Sequence, residues 1–215
     1  MSILLEAEPL TLGRNSNGMQ MTPEEFDAVR DWDDNYRYEL IQGVVIVSPI
    51  SLEAEADPIE ELGYWLRHYR NTHPQGTSLD ATMQERYIHV PNGRRRADRV
   101  IWAGLGRLPE PKQDVPTVAV EFVSARQRDR RRDFLAKRAE YRMMGVKEYW
   151  IIDRFRQEMT VCFQDCSQRV IPHDQTYETP LLPGFILPLG RILAVAAAWA
   201  DRGNDDDDNT PEIIF

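Results

Sequence analysis

The segment from Val115 to Asp153 constrains the fold more than any other part of the chain. Its two ends are apolar runs, Val115-Pro-Thr-Val-Ala-Val-Glu-Phe-Val-Ser124 and Gly145-Val-Lys-Glu-Tyr-Trp-Ile-Ile-Asp153, and an Arg-rich stretch around Lys137 separates them. That pattern predicts a buried strand, a helix and a second buried strand. In the first strand Val118, Val120 and Phe122 share one face, and Thr117, Ala119, Glu121 and Val123 share the other. A lone carboxylate in such a strand must protonate, pair with a cation or bind a metal.

A chain of 215 residues with 42% hydrophobic and 28% charged residues can bury one full core, and it carries no internal repeat. We expect a flexible leader over residues 1–20, one domain over 21–200 and an acidic, disordered tail over 201–215. Met1-Ser-Ile-Leu-Leu meets Glu6 with no basic region before it, and no apolar run reaches membrane-spanning length, so the expected compartment is the cytoplasm, with no membrane partner. Cys162 and Cys166 are too few for a disulfide framework. Their spacing, with His173 nearby, is a weak zinc signal beside the simpler reading of two reduced thiols near a strand end.

The net charge of −9 argues against a nucleic-acid partner until its distribution is considered. Acid is concentrated at Asp201, Asp205 to Asp208 and Glu212, and base at Arg94 to Arg96 and from Arg126 to Arg138.

Thr22-Pro-Glu-Glu25 has the form of a capping box with proline at the first helical position, predicting a short helix to about Arg30. Tyr38 to Val47 reads as a strand or hairpin broken near Gly43, and Asp57-Pro58 as the start of a helix running to about Thr72. Ser78 to Val90 reads as two short strands, and Val100-Ile-Trp102 as a buried strand with Asp98 at its start. Short strands at 159–163, 169–172 and around Phe185, then a helix from Ile192 to Trp199, complete the expected elements.

Four residues are candidates for chemistry: Glu39, Asp98, Glu121 and Lys137. Asp98 and Glu121 lie on two runs joined by a short loop, and adjacent strands can bring two carboxylates to one side of a sheet. A divalent cation relieves the repulsion, and oxygen-only ligation favours Mg²⁺ or Mn²⁺. The ordinary alternatives are a turn acid paired with one of Arg94 to Arg96 for Asp98, a buried ion pair for Glu121 and an exposed strand acid for Glu39. Lys137 shares a helical stripe with Phe134, Tyr141 and Met144, while Leu135, Ala139 and Met143 form a second apolar stripe. Periodicity therefore leaves open whether Lys137 meets buried acid or snorkels to water. The arginines at 126, 128, 130, 131, 132 and 138 form either a solvated helix face or a grip on phosphates.

Tyr38-Glu-Leu-Ile-Gln-Gly43, Ser48-Pro49, Arg96-Ala-Asp98, Val120-Glu-Phe-Val-Ser124, Lys137-Arg-Ala-Glu-Tyr141 and Gly145-Val-Lys-Glu-Tyr-Trp-Ile-Ile-Asp153, in this order, resemble the Uma2 family of the restriction-endonuclease-like PD-(D/E)XK superfamily. The resemblance implies an α/β fold with a central mixed sheet flanked by helices, and metal-dependent hydrolysis of DNA phosphodiesters as a Mg²⁺ (or Mn²⁺) endonuclease. It implies Asp98, Glu121 and the Phe122 carbonyl as metal ligands, Glu39 as a further acid and Lys137 as the catalytic cation. Arg126 and Arg128 would be phosphate contacts, and a homodimer would fit the superfamily's habits. The position two after the second acid, where the superfamily often has its lysine, is Val123, so that role passes to Lys137 on the next helix. Ala97 replaces the usual proline before the aspartate, and Leu52-Glu-Ala-Glu-Ala-Asp57 stands where many relatives carry a histidine. Two rival readings remain: a weakly active or inactive nuclease fold that binds DNA or protein, and a carboxylate-pair glycoside hydrolase, which gives Lys137 no role.

Overall fold

The structure, a computed structural model, describes residues 10–123 and 132–200, without the side chains of residues 132–134 and 200. Arg126, Arg128 and the acidic tail therefore lie outside the described residues. The elements in chain order are β1 (Thr11–Leu12), α1 (Pro23–Ala28), β2 (Asp31–Trp32), β3 (Tyr36–Ile41), β4 (Val44–Pro49), α2 (Glu53–Thr72), β5 (Leu79–Val90), β6 (Gly93–Ala103) and β7 (Val118–Phe122). A π-helical turn (Arg132–Lys137) then runs into α3 (Arg138–Met144), followed by β8 (Glu148–Asp153), β9 (Glu158–Phe163), β10 (Gln168–Pro172), β11 (Tyr177–Glu178), β12 (Ile186–Leu187) and α4 (Leu189–Ala200). These form an α/β fold whose central mixed sheet has the order β10-β9-β8-β7-β6-β3-β4, with β5 also paired to β6. Only β7 and β8 run parallel in it, joined by the crossover through α3.

One face of this sheet packs beneath α2 and α4. Ile59, Leu62, Leu66 and Tyr69 of α2 meet Ile101, Val118, Val120, Trp150 and Ile152, and Leu62 and Leu66 are fully buried. Each such leucine contributes about 1.5–3 kcal/mol by leaving water. The other face carries Val100, Trp102, Ala119, Val123 and Ile151 under Tyr141 of α3. A third cluster gathers Phe26, Tyr38, Leu40 and Val45 around the β3–β4 hairpin and includes Leu12. Leu12 is fully buried and Gln20 bridges to Val44, so residues 10–20 of the expected leader pack against the hairpin. Thr22 and Glu25 make the reciprocal capping bonds of α1.

Two expected boundaries are corrected. Helix α2 starts at Glu53, and Pro58 lies inside it. Proline removes the amide that would bond the Ala54 carbonyl, and Arg154 Nη1 reaches that carbonyl at 3.5 Å instead. Asp57 accepts a hydrogen bond from Trp199 Nε1 at 2.7 Å rather than capping a helix. Residues 79–90 form one long strand, because β5 pairs with β6 along nearly its whole length. Glu85 interrupts that strand with φ at +50°, and the ladder passes from Gln84–Arg99 to Arg86–Ala97 without pairing it.

Candidate functional site: a fork in the sheet

Strand β6 is paired to β5 along one edge, and its other edge serves two strands. Near its start Arg94 pairs with Leu40 of β3, and further along Arg99, Val100 and Ile101 pair with Val120, Ala119 and Val118 of β7. Between these ladders the sheet forks. Buried backbone groups released by such a fork must find other partners, and here side chains supply them. The Arg96 amide donates to Glu39 Oε1 at 3.0 Å, and the Arg96 carbonyl accepts from Lys137 Nζ at 2.9 Å. On the β7 side, the Phe122 amide donates to Asp98 Oδ2 at 2.8 Å.

All four candidate side chains meet at this fork, each buried to within 8% exposure. Lys137 Nζ lies 2.7 Å from Glu121 Oε1 and 3.5 Å from Glu39 Oε1. The helix thus turns Lys137 toward the sheet, while Leu135 and Met143 on the other stripe are exposed. Asp98 sits mid-strand, not at a strand start. Continuing the β6–β7 register places Asp98 opposite Glu121, and opposed residues share a face. Its cationic partner is Arg37 of β3, whose Nη2 donates to Oδ1 at 2.7 Å, and none of Arg94, Arg95 or Arg96 takes that role. Glu39 is a buried acid rather than an exposed one.

Sequence reasoning missed three contributors. Arg37 stands two residues before Glu39, a spacing that puts both on one strand face and could have revealed it. Burial opposes its charge, but Asp98 more than offsets this and holds the guanidinium above its ordinary value. Tyr141, one helical turn after Lys137, donates its hydroxyl to Glu121 Oε1 at 3.1 Å. Burial first, then the Glu121 and Glu39 charges, push its phenol well above the usual range, so it stays a donor. Glu55, near the start of α2, has its carboxyl raised by burial and then by Asp98, with Arg154 and Arg37 opposing. Behind Lys137, Arg95 pairs with Glu140 of α3, fixing the helix against β6. Arg138 points elsewhere, to Gln168 and the Cys166 carbonyl. Cys162 is buried and Cys166 exposed, both free.

Among the described residues no group of three or more His, Cys, Asp or Glu side chains could hold a metal ion together. Two of the three acids at the fork have their own cation, Asp98 with Arg37 and Glu121 with Lys137, and Glu39 shares Lys137. The arrangement can bind cations or anionic oxygens at one face of the sheet, and it concentrates ionisable groups where most of the sheet is apolar.

The central mixed sheet flanked by helices is the fold of a nuclease-like class. The Uma2 family model, described as "putative restriction endonuclease", matches residues 23–190, and the chain belongs to this family. A solved structure described as a "putative nuclease" from Anabaena variabilis shares the fold with a TM-score of 0.64 and 16% identity, covering 82% of this chain and 99% of that one. No curated protein matches the chain. No helix among the described residues is long and apolar enough to cross a membrane.

Proposed function

We propose that the protein is a Mg²⁺- or Mn²⁺-dependent endonuclease that hydrolyses phosphodiester bonds in DNA. The observation that carries this reading is the convergence of Glu39, Asp98, Glu121 and Lys137 on the fork. In this reading Asp98 and Glu121 would offer a hard divalent ion carboxylate oxygens from adjacent strands, and the Phe122 carbonyl would add a third oxygen. Mg²⁺ usually keeps several waters and needs only one or two protein carboxylates, so a third acid is not required. When bound, such an ion supplies Lewis-acid polarisation of a phosphoryl oxygen and a more acidic water.

The chain's own residues supply the rest. Lys137 is held by Glu121 and the Arg96 carbonyl, so its ammonium is positioned in advance to orient a water or to offset charge on the attacked phosphate. Arg37 places a second cation beside Asp98, suited to a phosphate oxygen. Glu39, tied to the Arg96 amide, fixes the near side of the fork. Tyr141 keeps the Glu121 carboxylate oriented.

The test is cleavage of single- and double-stranded DNA with Mg²⁺ and Mn²⁺ by the wild type, Asp98→Ala and Lys137→Ala. Loss of activity in both variants is expected, and equal activity in all three proteins overturns the assignment. One observation favours a second reading, a nuclease fold kept for binding DNA or protein: Asp98 and Glu121 are both already engaged by cations of the protein itself. Calorimetric titration with Mn²⁺ separates the two, since the binding module would show no uptake that depends on Asp98 and Glu121.

A further inference from the structure

A cleft of about 770 Å³ opens beside the fork, and Arg37 belongs to both. Its walls include Trp32, Tyr36 and Tyr87, with Ile50, 54% exposed, at its side and Arg96 in its lining. Two of the three aromatic walls are held in place. Trp32 and Tyr87 both pack edge-on against the buried Phe26 ring, at centroid distances of 5.1 and 5.7 Å, and the Tyr87 hydroxyl donates to the Tyr38 carbonyl at 3.0 Å. The cations are fixed too. Glu85, the residue with φ at +50°, lies 3.6 Å from Arg37 and 2.7 Å from Arg96. A left-handed backbone at a glutamate in mid-strand is costly and persists only where the surroundings over-determine it. Here it sits between the two arginines.

We propose that this cleft receives the base of an unpaired nucleotide in the DNA strand acted on at the fork. This rests on the nuclease reading for the strand's identity and adds the form of the substrate. Rigid aromatic walls offer stacking surfaces to any flat base, and arginines beside them suit the adjoining phosphates. A cleft of this size holds one nucleotide but not a duplex, whose bases would have to leave the stack to enter it. Among the acids of the lining, Glu85 pairs with Arg96 and lies 3.6 Å from Arg37, and Asp34 and Glu60 are exposed to solvent, where salt screens them. Arg37 links the two regions, so a base seated in the cleft brings its own phosphate toward Asp98.

Binding is measured by fluorescence anisotropy in EDTA, which removes cleavage from the readout, at about 0.1 M salt because phosphate contacts are salt-dependent. The probes are a short single strand, the same strand with its bases replaced by abasic sites, and the blunt duplex. The wild type should bind the single strand at least about tenfold more tightly than the abasic strand or the duplex, in line with stacking of 1–3 kcal/mol per base. Tyr36→Ala and Trp32→Ala should each lose about five- to a hundredfold on the single strand and little on the abasic one. Trp32 packs on Phe26 and its loss could unfold the protein, so Tyr36→Ala and the abasic strand on wild-type protein carry the test. Equal affinity for intact and abasic strands, tighter binding of the duplex, or no binding of the single strand overturns the proposal. Failure of the nuclease reading is seen separately, as cleavage unaffected by Asp98→Ala.

Discussion

Lys137 Nζ lies 2.7 Å from Glu121 Oε1 and bonds the Arg96 carbonyl at the same time, so one ammonium group joins α3's amino-terminal side to β6 and β7. Because both members of the pair are almost wholly buried, removing either leaves an uncompensated charge. Lys137→Met should lower stability by about 3–5 kcal/mol as well as abolishing cleavage. The double variant Glu121→Leu with Lys137→Met should be more stable than Lys137→Met alone, which urea denaturation checks. Additive losses would mean that the pair is not coupled.

Arg37 and a divalent ion would both draw on the Asp98 carboxylate. Arg37→Gln should therefore tighten Mn²⁺ binding by roughly tenfold, about 1.4 kcal/mol, while weakening DNA binding. Calorimetry on the two proteins decides it, and unchanged or weaker Mn²⁺ binding would show that Arg37 does not guard Asp98.

Not every buried acid in the sheet belongs to the fork. Glu148 at the start of β8 accepts from Trp150 Nε1 at 2.8 Å, Tyr177 Oη at 2.9 Å and Thr179 Oγ1 at 2.7 Å. Glu148→Ala strands these buried donors and should cost at least about 3 kcal/mol, since each unsatisfied group costs 1–3. Cleavage per folded molecule at low temperature should be unchanged, and a selective loss of cleavage with normal stability would contradict the structural role.

Stability should fall in mild acid through His89 on β5. Burial first, then the neighbouring charges of Arg94 and Lys112, hold its imidazole below the usual histidine value, with Asp27 opposing. The unfolded chain then binds more protons than the folded one, so the stability contribution is present above the unfolded value of about 6.5 and is lost as pH falls through the lower folded value. Wild type should lose more stability than His89→Gln when thermal unfolding is compared at neutral and mildly acidic pH. Identical losses would exclude His89 as the source.

The parts legible in the sequence were those encoded locally. The Thr22–Glu25 capping box, the break at Gly43 and the apolar runs around Val120 and Trp150 each carry their signal within a few residues. The convergence of Glu39, Asp98, Glu121 and Lys137 was legible only through the ordered motifs, because periodicity left two apolar stripes on the lysine helix. Arg37 was marked only by its i, i+2 spacing to Glu39, and the fork itself depends on β6 lending one edge to both β3 and β7, which no local pattern records. Pro58 misled for a related reason: proline ends or starts a helix by its own chemistry, but the guanidinium that satisfies Ala54 comes from residue 154.

The fork also makes its own sensors. Arg96 and Phe122 give their amides to carboxylates instead of to strand carbonyls. Anything that draws Glu39 or Asp98 away releases one backbone amide to solvent deuterium. Exchange at these two residues therefore reports, acid by acid, what the fork is holding, without any label having to be introduced.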